Sequence, residues 1–283
     1  MLSITSGDTG EATVTSALTF TSANWNSAQT VTVTGVDDNI IDGTITSTIT
    51  VAVNDGSSND NFDAVANQTV SVTTVDNDAA GFTIAQTEGS TSVNESGTTD
   101  TFTVVLNAQP ASNVVINITS SDTGEATVTG TLTFTPANWN SAQTVTVTGV
   151  NDSIIDGNIT STLTVTVNDG SSDNDFDGVA DQTVSVTTTD NDVAGFTITQ
   201  SGGSTSVAES GTTDTFTVVL NAQPSSDVVL QFVSGDTGEA TVTSLLTFTS
   251  GNWNSAQTVT VTGVDEEFVD LNQTSTITAS IVD

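Results

Sequence analysis

Carboxylates are the only ionisable side chains with which this chain could do chemistry. Its 283 residues include 34 Asp and Glu but no Lys, Arg, His, Cys or Tyr, so the formal net charge is −34. Nucleophilic catalysis by His, Cys or Lys is therefore impossible, and an enzyme would have to use a carboxylate pair or a bound metal. The chain also lacks the basic residues that nucleic acids and anionic membranes attract, so we expect neither as a direct partner.

The carboxylates have no positively charged side chain with which to pair. Each one must face water, a backbone N–H, a hydroxyl or amide donor, or a bound cation. Many fall in short segments rich in Gly, Asn and Ser, such as NDSIIDG and DND, which are typical of turns. Two interpretations stay open for these segments. They are either acidic turns that bind nothing, or loops whose oxygens hold calcium, which takes about six to eight oxygen ligands.

The segment NWNSAQTVTVTGV occurs three times and contains every tryptophan of the chain. Trp25, Trp139 and Trp253 are each 114 residues from the next. A period of this length is a domain rather than a small solenoid repeat. We therefore divide the chain into a partial repeat over 1–78 that lacks its leading strands, a complete repeat over 79–192, and a partial repeat over 193–283 that lacks its trailing strand.

Apolar residues alternate with Thr or Ser in most of each repeat, which predicts short β-strands. Segments rich in Gly, Asx, Ser or Pro separate these runs, and no stretch carries a helical stripe. Seven or eight strands per repeat, separated by regular turns, indicate tandem immunoglobulin-like antiparallel β-sandwiches. We expect Trp139 to cap one end of its core. In the complete repeat the predicted strands are Gly81–Ile84, Phe102–Leu106, Val114–Ile118, Ala126–Val128, Leu132–Phe134, Gln143–Val150, Ile159–Val167 and Thr183–Thr187.

Four short motifs follow one another in the same order in the repeats. They are V-x-E-S-G near the start, L-T-F-T-P before the long strand, V-D-D-x-x-x-D at its end and a terminal D-N-D. In this order and spacing they resemble the Calx-β repeat, a module of sodium–calcium exchangers, integrin β4 and very long bacterial surface and adhesin proteins. The resemblance implies a sandwich of about seven strands, with loop carboxylates that bind Ca²⁺ at one end.

The resemblance also implies which carboxylates would bind calcium in each copy. The nominated ligands are Glu95, Asp152, Asp156, Asp190 and Asp192 in the complete repeat; Asp37, Asp38, Asp42, Asp76 and Asp78 in the first; and Glu209, Asp265, Glu266 and Asp270 in the third. Asn151 replaces the first Asp of the V-D-D motif. A further acidic ligand is either Asp122 or Glu125. Because the terminal D-N-D runs directly into the next copy, we expect the cation to grip both repeats and stiffen the joint.

The segment Asp173–Gly178 is a second candidate cation loop. Its sequence DNDFDG begins like an EF-hand loop, in which alternate oxygens wrap a calcium ion before a glycine makes the turn. However, its twelfth position is Val184 rather than Glu, and the equivalent segment of the first copy, NDNFDA, has lost charges and the glycine. A solvated acidic hairpin is the favoured interpretation, with an incomplete cation site as the alternative.

These patterns favour a structural role over catalysis. Nearly identical domains in a row suit a task done by length, surface or copy number, so we expect no enzyme. The predicted protein is an extracellular, bacterial cell-surface repeat protein that forms a calcium-stiffened stalk, adhesin extender or filament. Its expected partners are neighbouring copies of itself, in tandem, head to tail or by strand complementation. The alternative is a module that binds a ligand or glycan at the cell surface.

Overall fold

The alternating pattern forms strands throughout. The computed structural model describes residues 1–267 and 271–282, and over these residues the chain is all-β. The helical segments within these ranges are single 3₁₀ turns, none of which has the length needed to cross a membrane. They are Asp55–Ser57, Asp60–Phe62, Thr87–Gly89, Asp169–Ser171, Asn174–Phe176 and Ser201–Gly203. The predicted fold class, tandem antiparallel β-sandwich domains, is confirmed.

The first repeat contributes six strands in two sheets. The strands are β1 (Leu2–Ser6), β2 (Ala12–Val14), β3 (Ala17–Leu18), β4 (Val33–Gly35), β5 (Ile45–Val53) and β6 (Gln68–Thr74). One sheet has the order β3-β1-β5-β6, and the other is the pair β2-β4.

The complete repeat contributes nine strands, more than the seven or eight predicted. They are β7 (Phe82–Gln86), β8 (Thr91–Asn94), β9 (Thr99–Leu106), β10 (Val114–Ser120), β11 (Ala126–Val128), β12 (Thr131–Phe134), β13 (Gln143–Gly149), β14 (Ile159–Val167) and β15 (Gln182–Thr189). The sheets have the orders β12-β10-β14-β15-β8 and β11-β13-β9-β7. The extra strand arises because the chain leaves one sheet after β7 and joins the other as β8. Between them, Glu88 and Gly89 have positive φ values of 53° and 82°.

The third repeat has a similar arrangement over its described part, but no strand forms at 205–208, the positions equivalent to β8. Its strands are β16 (Phe196–Gln200), β17 (Thr213–Leu220), β18 (Val228–Ser234), β19 (Ala240–Val242), β20 (Leu245–Phe248), β21 (Gln257–Gly263) and β22 (Ile277–Val282). The two sheets have the orders β16-β17-β21-β19 and β20-β18-β22.

The apolar faces of both sheets form the core of the complete repeat. Phe102, Phe134 and Phe176 are fully buried among valine, isoleucine and leucine side chains, whereas threonines lie on the solvent side. Trp139 lies in the turn before β13 and packs against this core, as predicted. Its equivalent Trp253 packs against the core of the third repeat in the same way. These two rings pack against their cores, whereas Trp25, at the same position of the first repeat, is 70% exposed.

Strand pairing brings several chain ends to one pole of the complete repeat. β8 and β15 run parallel, with Asn94 opposite Thr189 at their ends. β13 ends beside the start of β11, where Gly149 pairs with Ala126, and β14 begins beside the end of β15. We call this end of the repeat the acidic pole. Every loop that leaves or enters these strands there carries at least one carboxylate.

Candidate metal centre

Glu95 lies at the centre of the acidic pole because β8 ends one residue before it. Its backbone N–H continues the parallel ladder by donating to the carbonyl oxygen of Thr189 at 3.2 Å. Its side chain is only 1% exposed, and one carboxylate oxygen accepts the N–H of Asn191 at 3.1 Å. Burial raises the pKa of Glu95, and the nearby charges of Asp190, Asp152 and Asp192 raise it further. The fold therefore holds a carboxylate where its negative charge is unfavourable.

Glu125 is a second buried carboxylate at this pole, directly before β11. Its carbonyl oxygen accepts the N–H of Val150 at 2.8 Å, which fixes its backbone against the end of β13. The side chain is 6% exposed, and its Oε2 atom is buried without a hydrogen-bond partner. Burial raises its pKa, followed by the charges of Asp156 and Glu95. Burying a carboxylate oxygen without a hydrogen-bond partner costs free energy. A cation bound at this point would supply the missing partner.

The loop between β13 and β14 supplies two more carboxylates. Asp152 accepts the N–H of Ile154 at 2.7 Å and so shapes the start of this loop. Asp156 lies near its end, before Gly157, whose φ of 77° suits glycine. Asp190 holds the loop in place by accepting the N–H groups of Asp192 at 2.7 Å and Gly157 at 2.9 Å. These two hydrogen bonds keep the pKa of Asp190 below its ordinary value.

Two groups of carboxylates converge in the complete repeat and share Glu95. In each group, one oxygen per residue lies within 4.8 Å of the others, and the groups are Glu95, Asp152 and Asp192, and Glu95, Glu125 and Asp156. Asp192 resembles Glu125 in having a buried oxygen, Oδ2, without a partner. Burial raises its pKa, and the charge of Asp190 adds to this.

The donor set fits a hard divalent cation. The five carboxylates provide only oxygen, the ligand type that calcium prefers, in loops that can supply carbonyls as well. Their mutual repulsion has no positive side chain to offset it, because the chain contains none. Each group takes its members from the complete repeat alone, and the expected grip of a cation on both repeats stays a prediction.

The first repeat has a shallower version of this site. Glu11, Asp38 and Asp42, the equivalents of Glu125, Asp152 and Asp156, converge within 4.8 Å, but Asp38 and Asp42 are exposed. Asp76 accepts the N–H groups of Asp78 and Gly43 at 2.8 and 2.9 Å, which lower its pKa. Desolvation raises the pKa of Glu11 and of Asp78, as do neighbouring carboxylates. Asp37 is exposed and belongs to no converging group in the described part of this repeat.

The nominated residues of the third repeat do not form a comparable group. Glu209 and Asp265 are exposed, Glu266 is half-buried, and Asp270 lies outside the described residues. Across 193–267 and 271–282, no three carboxylates converge as they do in the other repeats. Its Glu239, equivalent to Glu125, is half-buried.

Of the two candidates for the further ligand, Glu125 joins a converging group and Asp122 does not. Asp122 is exposed, and its carboxylate accepts the N–H of Gly124 at 2.9 Å, so it is used in a local turn. The signal for Glu125 was its position immediately before an Ala-Thr-Val strand whose alanine is fully buried. Asn151, which replaces an Asp of the motif, accepts the side-chain amide of Asn191 at 3.0 Å instead.

The Asp173–Gly178 loop is anchored to the core through Asp173 and Phe176, whereas its other four residues are exposed. Asp173 is 7% exposed, and its carboxylate accepts the backbone N–H of Ser112 at 2.6 Å, its hydroxyl at 3.1 Å and the N–H of Asp175 at 3.2 Å. Burial opposes ionisation of Asp173, but the hydrogen bonds from Ser112 and Asp175 outweigh it and lower the pKa. This carboxylate caps a 3₁₀ turn that inserts Phe176 into the core. The favoured prediction of a solvated hairpin was wrong at Asp173.

Comparisons with known proteins give distant structural likenesses. No protein-family model matches the chain, and neither does any curated protein sequence. The chain is similar to domains 4 and 5 of the S-layer protein SbsC, with 21% identity over 66% of this chain and 70% of that one and a TM-score of 0.33. It is also similar to the apo-form Calx CBD1 domain, with 14% identity over 39% of this chain and 98% of that one and a TM-score of 0.30. A third similar structure is CBD12 from CALX1.2, with 15% identity over 65% of this chain and 76% of that one and a TM-score of 0.29. Likenesses this distant assign neither a family nor a function to the chain.

Proposed function

We propose that this chain is part of a structural repeat protein outside the cell, whose repeats bind calcium at the acidic pole. The observation that carries the proposal is the buried Oε2 atom of Glu125, which has no partner, in a residue whose carboxylate converges with those of Glu95 and Asp156. A divalent cation would give this atom a ligand bond and would offset the repulsion among the five carboxylates.

Calcium would stabilise the repeat by joining separate elements. The five carboxylates follow β8 and β15, precede β11 and occupy the loop between β13 and β14, so one bound cluster would cross-link both sheets. A ligand that binds only the folded state stabilises it by about 2.7 kcal/mol at a hundred times its dissociation constant. Less repulsion would also order the loop between β13 and β14, in which the carbonyl oxygen of Ser153 accepts the N–H of Gln223 of the next repeat, so the array would be stiffer.

The setting of the proposal is a bacterial cell surface, where the array would serve as a stalk, adhesin extender or filament with neighbouring copies as partners. Three features support it: domain repetition, the motif resemblance to repeats of bacterial surface proteins, and converging carboxylates without a positively charged partner. Carboxylate sites of extracellular modules bind calcium with dissociation constants of about 10⁻⁴–10⁻³ M. The protein has no proposed catalytic role.

Thermal melting of the full chain in chelator and in millimolar calcium tests the binding site. Calcium should raise the melting temperature of the wild type, and Glu125→Gln should reduce this increase. Asp122→Asn is the matched control, since it removes an exposed carboxylate three residues away, and its response should equal that of the wild type. If calcium changes no melting transition of the wild type, the proposal is wrong.

Small-angle scattering tests the stiffening. The maximum dimension and the stiffness of the chain should increase when calcium replaces chelator. If calcium binds but the scattering does not change, the proposal of a calcium-stabilised repeat stands and the proposal of a calcium-stiffened stalk is wrong.

A further inference from the structure

Consecutive repeats contact each other through the same backbone pairing at both junctions. The N–H of Gln109 donates to the carbonyl oxygen of Asn39 at 2.7 Å, and the N–H of Gln223 donates to that of Ser153 at 2.7 Å. Isolated parallel bridges pair Ile40 with Gln109 and Ile154 with Gln223. Asn39 and Ser153 occupy equivalent positions in consecutive repeats, and so do Gln109 and Gln223. The same contact between domains therefore occurs at both junctions.

Two isoleucines accompany each of these hydrogen bonds. At the first junction, Ile41 packs against the core of the following repeat. At the second, Ile154 and Ile155 line one side of a cavity of about 250 Å³, and Phe196, Leu220 and Pro224 of the third repeat line the other. We call residues 39–41 and 153–155 the isoleucine loops. They present apolar side chains that their own repeats do not bury.

The glutamine that receives each loop is fixed within its own repeat. The side-chain Nε2 of Gln109 donates to the carbonyl oxygen of Pro136 at 3.1 Å, and that of Gln223 donates to the carbonyl oxygen of Ser250 at 3.1 Å. A proline follows each glutamine and restricts the backbone there. The glutamine N–H is therefore held in a defined direction, towards the preceding repeat.

We infer that the isoleucine loop is a docking surface for the next repeat, and that this direct contact sets the placement of consecutive repeats without an ion. Its partner is a β-sandwich repeat that presents a Gln-Pro turn beside an apolar Gly-Phe strand start. Like charges on the two repeats repel each other, so the attraction must come from these apolar and backbone contacts. Calcium at the acidic pole adds to this joint by ordering the same loop, but does not create it.

Spin-label distance measurements on the full chain test this inference. Because the chain contains no cysteine, labels attach only at the cysteines that are introduced. The pair Thr133→Cys and Thr247→Cys places labels at equivalent exposed strand positions on either side of the second junction. In chelator, the labelled chain should give one narrow distance distribution. Adding Ile154→Ser and Ile155→Ser should broaden it and remove the single peak.

The matched control is Ile40→Ser with Ile41→Ser, which alters the equivalent loop at the other junction. It should leave the 133–247 distance unchanged and broaden the distance between labels at positions 19 and 133. Gln223→Ala is a milder variant with the same expected direction, for use if the double variant unfolds. The inference is overturned if the Ile154 and Ile155 variant matches the wild type in chelator. It is equally overturned if the wild-type distribution becomes narrow only when calcium is added.

Melting in calcium and distance measurements in chelator together distinguish a failure of this inference from a failure of the proposed function. If calcium fails to bind but the distribution in chelator is narrow and depends on the isoleucines, the docking surface stands and the calcium proposal fails. If calcium raises the melting temperature but the isoleucines have no effect on distance, the reverse holds.

Discussion

Gly149 lies directly against the backbone of Asn94, whose carbonyl oxygen occupies the space that a Cβ atom at position 149 would need. This contact lets the end of β13 pass beneath β8 and places the loop of Asp152 next to Glu95. Gly263 has the same relationship with Ala208 in the third repeat. The close approach of two backbones explains why glycine ends both of these strands.

Gly149→Ala should destabilise the complete repeat by about 1–3 kcal/mol, the usual cost of overpacking, because backbone atoms cannot give way as a side chain would. Urea unfolding measures the change. Gly35→Ala in the first repeat is the control, since the nearest atom to its added methyl would be Thr74 Cγ2 at 3.9 Å, an ordinary contact. Equal losses for the two variants would contradict the packing argument.

Phe176→Ala should cost about 3–5 kcal/mol, as expected for the removal of a fully buried ring. The equivalent residue of the first repeat, Phe62, is 58% exposed, and its replacement by Ala should change stability by no more than about 0.5 kcal/mol. Thermal unfolding of the two variants makes the comparison. A large effect at Phe62 would show that the 3₁₀ turn is docked in both repeats.

Asp173→Ala should destabilise the complete repeat by about 1–3 kcal/mol, because Ser112 and the 3₁₀ turn lose the acceptor of their hydrogen bonds. Asp175→Ala removes an exposed carboxylate of the same loop and should be nearly neutral. Calcium should not alter the difference between these variants, because Asp173 acts as a structural acceptor. A calcium-dependent difference would restore the loop as a cation site.

Glu125→Gln should change stability in opposite directions with and without calcium. In chelator at neutral pH the variant should be more stable than the wild type, because a buried charge without a partner is removed. In millimolar calcium the wild type should be the more stable, because it keeps the ligand. Urea midpoints measured in chelator and in calcium give the sign of the stability change in each buffer. A variant that is less stable than the wild type in chelator would contradict the description of Glu125 as a buried charge without a partner.

The stability of the calcium-free protein should depend on pH in two opposite ways. The raised pKa values of Glu95, Glu125 and Asp192 mean that the folded state binds protons more tightly than the unfolded state. Their contribution is fully present below the ordinary values of 4.5 for Glu and 3.8 for Asp, and it is lost as the pH rises through the raised pKa values.

Asp173 and Asp190 act in the opposite direction. Their lowered pKa values give a contribution that is present above 3.8 and lost as the pH falls through the folded-state pKa values. Stability in chelator should therefore be greatest at mildly acidic pH and should decrease towards neutrality and towards strong acid. Calcium should remove the decrease towards neutrality. Melting curves across this range check the prediction, and a steady rise of chelator stability from pH 4 to 7 would contradict it.

The strands could be predicted because their signal is local. Ala126–Val128 and Ile159–Val167 have the predicted bounds, since alternation with a period of two directly reports a sheet with one buried face. The separate strand β8 was missed. Its existence depends on parallel pairing with β15, about 95 residues later in the chain, and on the left-handed turn at Glu88.

The site residues show the same limit. The sequence placed the acidic loops at one pole, but it could not tell which of their carboxylates accept hydrogen bonds from backbone N–H groups and which keep a buried oxygen without a partner. Asp190, Asp122 and Asp173 accept such hydrogen bonds, whereas Glu125 has an unpaired oxygen. The donor to Asp173 is Ser112, 61 residues away, and no local pattern reports such a partner. No local pattern identifies the isoleucines between Asp152 and Asp156 as contacts with the next repeat, because that contact depends on how two domains are placed.

The parallel pairing of β8 with β15 also determines how the complete repeat would respond to a pulling force. The chain enters this repeat at the pole where Phe82 pairs with Leu106, and it leaves β15 at the opposite pole. Tension along the array would pull β15 along its own axis past β8, so that the hydrogen bonds between β8 and β15 would be loaded together rather than one after another. Such shear loading makes a domain mechanically strong, even where its equilibrium stability is modest.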